Sequence, residues 1–144
     1  MTNKILVDDQ YWEINADDLK FTDATLNTFF ERVSGIIDYI GAGLAKANMN
    51  HSVLEHRCKL KFIEKFKEYK EQGKSDKTAE LSAEGDLEVS SLRKQVIEAK
   101  YHKDLLYSHL QALNCAREDA HNRGHMLRKE MAKLNMDIMQ SNDF

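Results

Sequence analysis

The chain has 144 residues, the length of one domain, with 21 basic and 24 acidic side chains and a formal net charge of −3. That balance excludes a uniformly basic nucleic-acid wrapper, so any phosphate site must come from segregated charge. Hydrophobic residues at 42% and charged residues at 31% argue against both a disordered chain and a membrane protein. No apolar run reaches the roughly 18 residues that a span requires, and Met1 to Val7 lacks the apolar core of a signal peptide, so a cytoplasmic location is expected.

Residues 1–21, with Ile5, Leu6, Val7, Tyr11, Trp12 and Ile14, read as a short apolar arm. Proline is absent and glycine occurs six times, which favours long helices. The first helix is predicted over 22–72 with Asp23 as its N-cap. Its apolar stripe runs from Leu26, Phe30, Val33 and Ile37 through Ile40, Leu44, Ala47 and Leu54 to Cys58, Phe62, Phe66 and Tyr69, in steps of three and four. Residues 73–86 form an acidic turn, within which Thr78 to Ala83 is read as a short turn of helix.

The second helix is predicted over 87–139. Leu92, Val96, Ala99, Lys103, Leu106, Leu110, Leu113, Arg117, Ala120, Gly124, Leu127, Met131, Leu134 and Ile138 alternate steps of four and three, a sustained heptad seam. Lys103 and Arg117 occupy seam positions, and Gly41 and Gly43 are read as leaving room for Arg117. The expected fold is all-α: a single helical domain over 1–144, built as an antiparallel hairpin of two long helices with a short N-terminal arm. With helices ending near 72 and restarting near 87, Cys58 faces the region of residue 101 and Cys115 that of residue 44.

Both helices carry a second apolar face: Met49, Val53, Leu60 and Ile63 on the first, and Ile97, Tyr101, Leu105, Ala112 and Cys115 on the second. A single helical partner covers one stripe, so oligomerisation through helical packing is expected, with Met49, Val53, Leu60, Ile63, Ile97, Tyr101 and Leu105 at the interface.

No catalytic arrangement is visible. Glu118 and His121, with His125 one turn on, have the spacing of carboxylate-bridged metal sites, but no second Glu-x-x-His accompanies them. Cys58 and Cys115 lack metal spacing, and neither a phosphate loop nor a nucleophile elbow is present. The expectation is a non-enzyme with no metal or other cofactor.

The informative stretch is basic. Residues 57–77 carry eight bases and four acids, residues 78–92 four acids and no base, and residues 93–133 nine bases and five acids. On a helix, Arg57, Lys61 and Lys65 form one line and Lys59, Lys67, Lys70 and Lys74 another, with Phe62, Phe66 and Tyr69 between them. Cations that neutralise phosphates beside rings that stack bases suit a single strand. Spacing alone favours the plainer reading, in which the rings belong to the hairpin stripe and the lysines solubilise it. Arg123, Arg128, Lys129 and Lys133 form a second basic group, which also fits plain complementation of a helix C-terminus.

The elements, taken in order, resemble the UvsY-like recombination mediators of tailed phages over about residues 14–133. The likeness lies in Ile14-Asn15-Ala16-Asp17-Asp18-Leu19, in Asn27-Thr28-Phe29-Phe30, in Lys65-Phe66-Lys67-Glu68-Tyr69 before Gly73, and in the return helix from Ala99-Lys100-Tyr101 to Asn122-Arg123-Gly124-His125-Met126-Leu127-Arg128. The resemblance implies an oligomer that binds single-stranded DNA, helps displace the single-strand-binding protein and loads a RecA-like recombinase. The family's basic-aromatic stretch corresponds to Lys65, Lys67 and Tyr69. The nucleic-acid-binding set expected here is Arg57, Lys59, Lys61, Lys65, Lys67, Lys70, Tyr69, Arg123, Arg128 and Lys129. The dense acidic block Glu80 to Glu88 and the negative net charge depart from the family. They keep open a different class of function: a helical protein-binding scaffold, such as an assembly chaperone or anti-defence protein, without nucleic-acid binding.

Overall fold

The computed structural model describes residues 2–142. Two strands, β1 (Thr2–Val7) and β2 (Gln10–Asn15), lead through 3-10 turns at Ala16–Leu19 and Asp23–Thr25 into α1 (Leu26–Glu71), α2 (Asp76–Glu84) and α3 (Leu87–Ser141). The chain is mostly helical, and α1 and α3 share its most extensive packing. At 1.5 Å per residue α1 is about 70 Å long. Among the described residues no helix is long and apolar enough to cross a membrane.

The N-terminal segment is not a simple arm. β1 and β2 pair antiparallel, with Ile5 opposite Trp12 and Val7 opposite Gln10. Ile5, Val7, Trp12 and Ile14 alternate with solvent-facing neighbours and are buried, the period of two that a half-covered hairpin requires. The turn is made by Asp8 and Asp9, both at positive φ (49° and 61°), as the right-handed strand twist demands of a two-residue connection. Aspartate tolerates this region better than most side chains.

The hairpin's inner face joins Phe29, Val33 and Ile40 of α1 and Leu106, Leu113, Ala116 and Ala120 of α3 in one core. Gly43 is what lets Trp12 in. A Cβ there would lie 2.8 Å from two carbons of the indole, so the room read as serving Arg117 is filled by tryptophan, and Arg117 is exposed. Tyr39 packs against the same indole at 4.8 Å between centroids, and its Oη accepts from the Glu13 N–H at 3.5 Å.

Winding begins slightly before α1. The Thr22 N–H donates to Thr25 Oγ1 at 2.8 Å, so Thr22, rather than Asp23, holds the start. On α3 the core positions are Val89, Ala99, Leu106, Leu113, Ala116 and Ala120. Most of the heptad residues from Leu92 to Arg117 that fall between them, Arg117 apart, are only partly covered.

The turn is also more than a turn. Ser75 caps α2 by accepting from the Thr78 N–H at 3.3 Å, and Ala79 and Ala83 are fully buried where α2 packs on α1. Because α2 lies along the last turns of α1, α3 does not start beside residue 71. It starts beside Lys61 and Lys65, which Glu88 contacts. Cys58 accordingly meets Val89, with its Sγ 4.0 Å from the carbonyl oxygen, and not the region of residue 101. At the other end Leu26 sits against Gly124, so α3 from about Leu127 onward runs past the end of α1. Met131, Leu134, Met136, Ile138 and Met139 of this overhang are exposed. The last part of the heptad seam therefore has no partner within the chain among the described residues.

Gly43 and Gly41 separate two effects of adding a methyl group. Gly43→Ala should lower stability by roughly 1–3 kcal/mol, because the buried indole must move. Gly41→Ala, with nothing within 4 Å of the new Cβ, should raise it by roughly 0.5–1 kcal/mol through helix propensity. Urea unfolding followed by circular dichroism checks both signs.

Candidate nucleic-acid interface

The basic end of α1 is organised by the start of α3. Asp86 caps that helix, its Oδ1 accepting from the Glu88 and Val89 N–H groups at 2.9 and 3.4 Å, and this fixes where Glu88 stands. Its carboxylate lies 3.1 Å from Lys61 Nζ and 3.7 Å from Lys65 Nζ. Both lysines also meet a glutamate of α1 one turn on: Lys61 with Glu64 at 3.0 Å, Lys65 with Glu68 at 3.4 Å. Hydrogen bonds to Glu64 and Glu88 raise the Lys61 ammonium above the ordinary lysine range. For Lys65 partial burial pulls downward, but the Glu68, Glu88 and Asp86 carboxylates outweigh it and the net direction is again upward. Lys70 pairs with Asp76 at the start of α2.

The rings are equally committed. Tyr69 donates its hydroxyl to Asp86 Oδ2 at 3.4 Å, and Lys74 Nζ sits 4.5 Å from the centre of its ring. Phe62 and Phe66 stack at 6.5 Å between centroids, 22° from parallel. Both are half-buried and line, with Ile63, Lys67 and Glu80, a cavity of about 260 Å³ between α1 and α2. These aromatics hold the elements together; they are not open stacking platforms.

Three cations on the α1 part of the stretch stand apart from this network. Arg57, Lys59 and Lys67 are exposed, and none has a carboxylate within 4 Å among the described residues. Lys59 borders a groove of about 670 Å³, which is also lined by Ser52, His56, Cys58, Phe62, Arg93 and Val96, with Glu55 and Glu84 on its walls. The hairpin therefore brings Arg93, from the second basic block, opposite Lys59. Charge counting along the chain did not single out Arg93, nor Glu88 and Asp76 as partners. The density of acids at 80–88 was the available signal.

The C-terminal basic group does not join this surface. Arg123 forms a two-pronged bond to Asp23, Nε and Nη2 each 2.8 Å from a carboxylate oxygen, which raises the guanidinium further above its ordinary value and lowers the Asp23 carboxyl. That pair ties α3 to the start of α1, at the opposite end of the hairpin from the turn. Arg128 and Lys129 are exposed on the overhang.

Of the second apolar face, Met49, Val53, Leu60, Ile63, Ile97 and Tyr101 are exposed. Leu105 is partly buried against the chain's own core and so is not part of the open face. Glu118 and His121 line a smaller cavity, about 440 Å³, with Phe30 and Arg117. Among the described residues no three metal-ligating side chains cluster. His109 lies elsewhere, partly buried with its Nε2 unpartnered, and burial lowers its pKa against an opposing pull from Asp18.

No protein-family model matches the chain, and comparison with curated proteins and with solved structures likewise finds no match.

If Phe66 serves the packing of α2 on α1, Phe66→Ala should cost roughly 1.5–3 kcal/mol, about half the loss for a fully buried ring. Arg57→Ala, at an exposed and unpaired position, should change stability by less than about 0.5 kcal/mol. Thermal melts of the two variants provide the comparison.

Proposed function

We propose that this protein is a non-enzymatic, single-stranded-DNA-binding recombination mediator that helps load a RecA-like recombinase in competition with a single-strand-binding protein, acting in the cytoplasm of a phage-infected host. The observation that carries the reading is the juxtaposition of unpaired cations, Lys59 and Arg93, across an open groove edged by Phe62, with Arg57 and Lys67 exposed nearby. A phosphate backbone following this end of α1 meets positive charge on more than one side. The chain's likeness in element order to the UvsY-like mediators supplies the rest. Lys61, Lys65 and Lys70 belong to the same surface but stand behind carboxylates, and Arg123, Arg128 and Lys129 would serve at most a separate contact.

Replacing Lys59 and Lys67 by alanine should weaken binding to labelled oligo-dT and reduce the slope of log K against log salt by somewhat more than one unit, at about 0.7 per phosphate contact. Fluorescence anisotropy at several salt concentrations measures both. Wild-type protein that fails to bind oligo-dT at low salt would overturn the reading.

The protein-binding scaffold remains a second reading because of a specific observation, the exposed apolar side chains of the α3 overhang and of the Met49, Val53, Ile97, Tyr101 face. Under either reading this face packs against further copies. Light scattering at micromolar concentration should give a mass above the 16.7 kDa of one chain, and Val53→Asp with Ile97→Asp should return the monomer while far-UV circular dichroism keeps its helical signal.

A further inference from the structure

We infer that the acidic segment joining the long helices is a built-in competitor for phosphate, covering part of the basic surface of α1 and giving way when a single strand binds. The inference rests on the single-strand reading above and assigns a regulation to that same surface.

Three of the lysines on that surface are met by carboxylates from outside their own helix. Glu88, from the first turn of α3, reaches both Lys61 and Lys65, and Asp76, from the first turn of α2, reaches Lys70. A carboxylate oxygen accepts from an ammonium group as a phosphate oxygen does, so these acids occupy the positions a backbone phosphate would take. They are placed there by the fold. Asp86 caps α3 and fixes the backbone at Glu88, and Ser75 caps α2 next to Asp76. The Glu88 side chain itself is 59% exposed and bonded to nothing but the two lysines, so it can swing into water without disturbing the cap or the packing of α2.

Ion pairs whose carboxylate is open to water, as Glu88 and Asp76 are, exchange readily, because the attraction is weak in water and ordering two side chains opposes it. The consequence for binding is specific. A lysine neutralised by its own chain's carboxylate gives up that carboxylate, not a salt ion, when phosphate arrives. The salt dependence of binding then falls short of the number of lysines engaged.

The test measures labelled oligo-dT binding by fluorescence anisotropy across a salt series for the full chain and for Glu88→Gln, Asp76→Asn and Asp104→Asn. The last removes an exposed carboxylate of α3 away from the lysines and controls for net charge. Asp76→Asn leaves Lys70 without a carboxylate within 4 Å among the described residues, so it should tighten binding roughly two- to fivefold and steepen the salt slope by about 0.7. Glu88→Gln removes the carboxylate that Lys61 and Lys65 share but leaves Glu64 and Glu68 beside them, so it should act in the same direction with a smaller change, up to about twofold in affinity. Asp104→Asn should leave the slope unchanged. Wild-type binding with Glu88→Gln and Asp76→Asn indistinguishable from Asp104→Asn would overturn the competition and leave the single-strand reading in place. Absence of binding by every variant at low salt would overturn the single-strand reading itself.

Discussion

One helix laid against one other helix can bury a single stripe of each, and the architecture of this protein follows from how its remaining apolar surface is handled. α1 and α3 share the central stripe. Beside their middle and the first half of α1, the β-hairpin closes the gap with Ile5, Val7, Trp12 and Ile14. At the turn, α2 does the same with Ala79 and Ala83. Small residues set how closely these pieces approach: Gly43 admits an indole, Gly124 admits Leu26, and Ala116 and Ala120 complete the floor of the core. Where no such piece is supplied, as on the back of the hairpin and along the overhang, apolar side chains remain in water.

The electrostatics follow from the same geometry. Opposite charges distant in sequence meet at two places: Asp76 and Glu88 come to rest on lysines of α1, and Asp23 takes Arg123 a hundred residues away in sequence. A nearly neutral protein thereby keeps its positive field local, concentrated where Arg57, Lys59, Lys67 and Arg93 have no carboxylate within 4 Å among the described residues. A field of that kind acts over about a Debye length, some 8 Å at physiological salt, so it can select what docks at this end without making the whole surface attractive to polyanions.

The two long helices were legible in the sequence because tens of residues repeat one period and no proline interrupts them. The strands were not, and the reason is local. Ile5, Val7, Trp12 and Ile14 alternate correctly, but Leu6 and Tyr11 fill the polar positions, and the turn uses Asp8-Asp9 without the glycine that ordinarily marks a two-residue hairpin. Of the nine residues of α2 only a short turn at 78–83 was legible, because so short a helix has little intrinsic stability and forms through two alanines packed on α1. That displacement of the start of α3 also moved every cross-helix pairing, which is why the partner of Cys58 could not be read from loop length. At the candidate interface the basic residues could be found by counting. Which of them are free could not, because Glu88 and Asp76 act across elements whose register only the folded chain sets. Phe62, Phe66 and Tyr69 fit both the stripe and a stacking surface in one dimension, and packing decides for the stripe.

The overhang of α3 adds a thermodynamic consequence. About fifteen residues of helix, some 22 Å at the usual rise, project beyond the point where α1 can support them, and a helix of that length is marginal in water on its own propensity. Its order in the free chain is a helix–coil balance, coupled to the rest of the molecule only through the preceding turns of α3. Any surface that seats Leu127, Met131, Leu134 and Ile138 must therefore spend part of its contact energy on completing the helix. Association through this segment would be weaker than its apolar area suggests, and it would register as a gain of helical content as much as a change in mass.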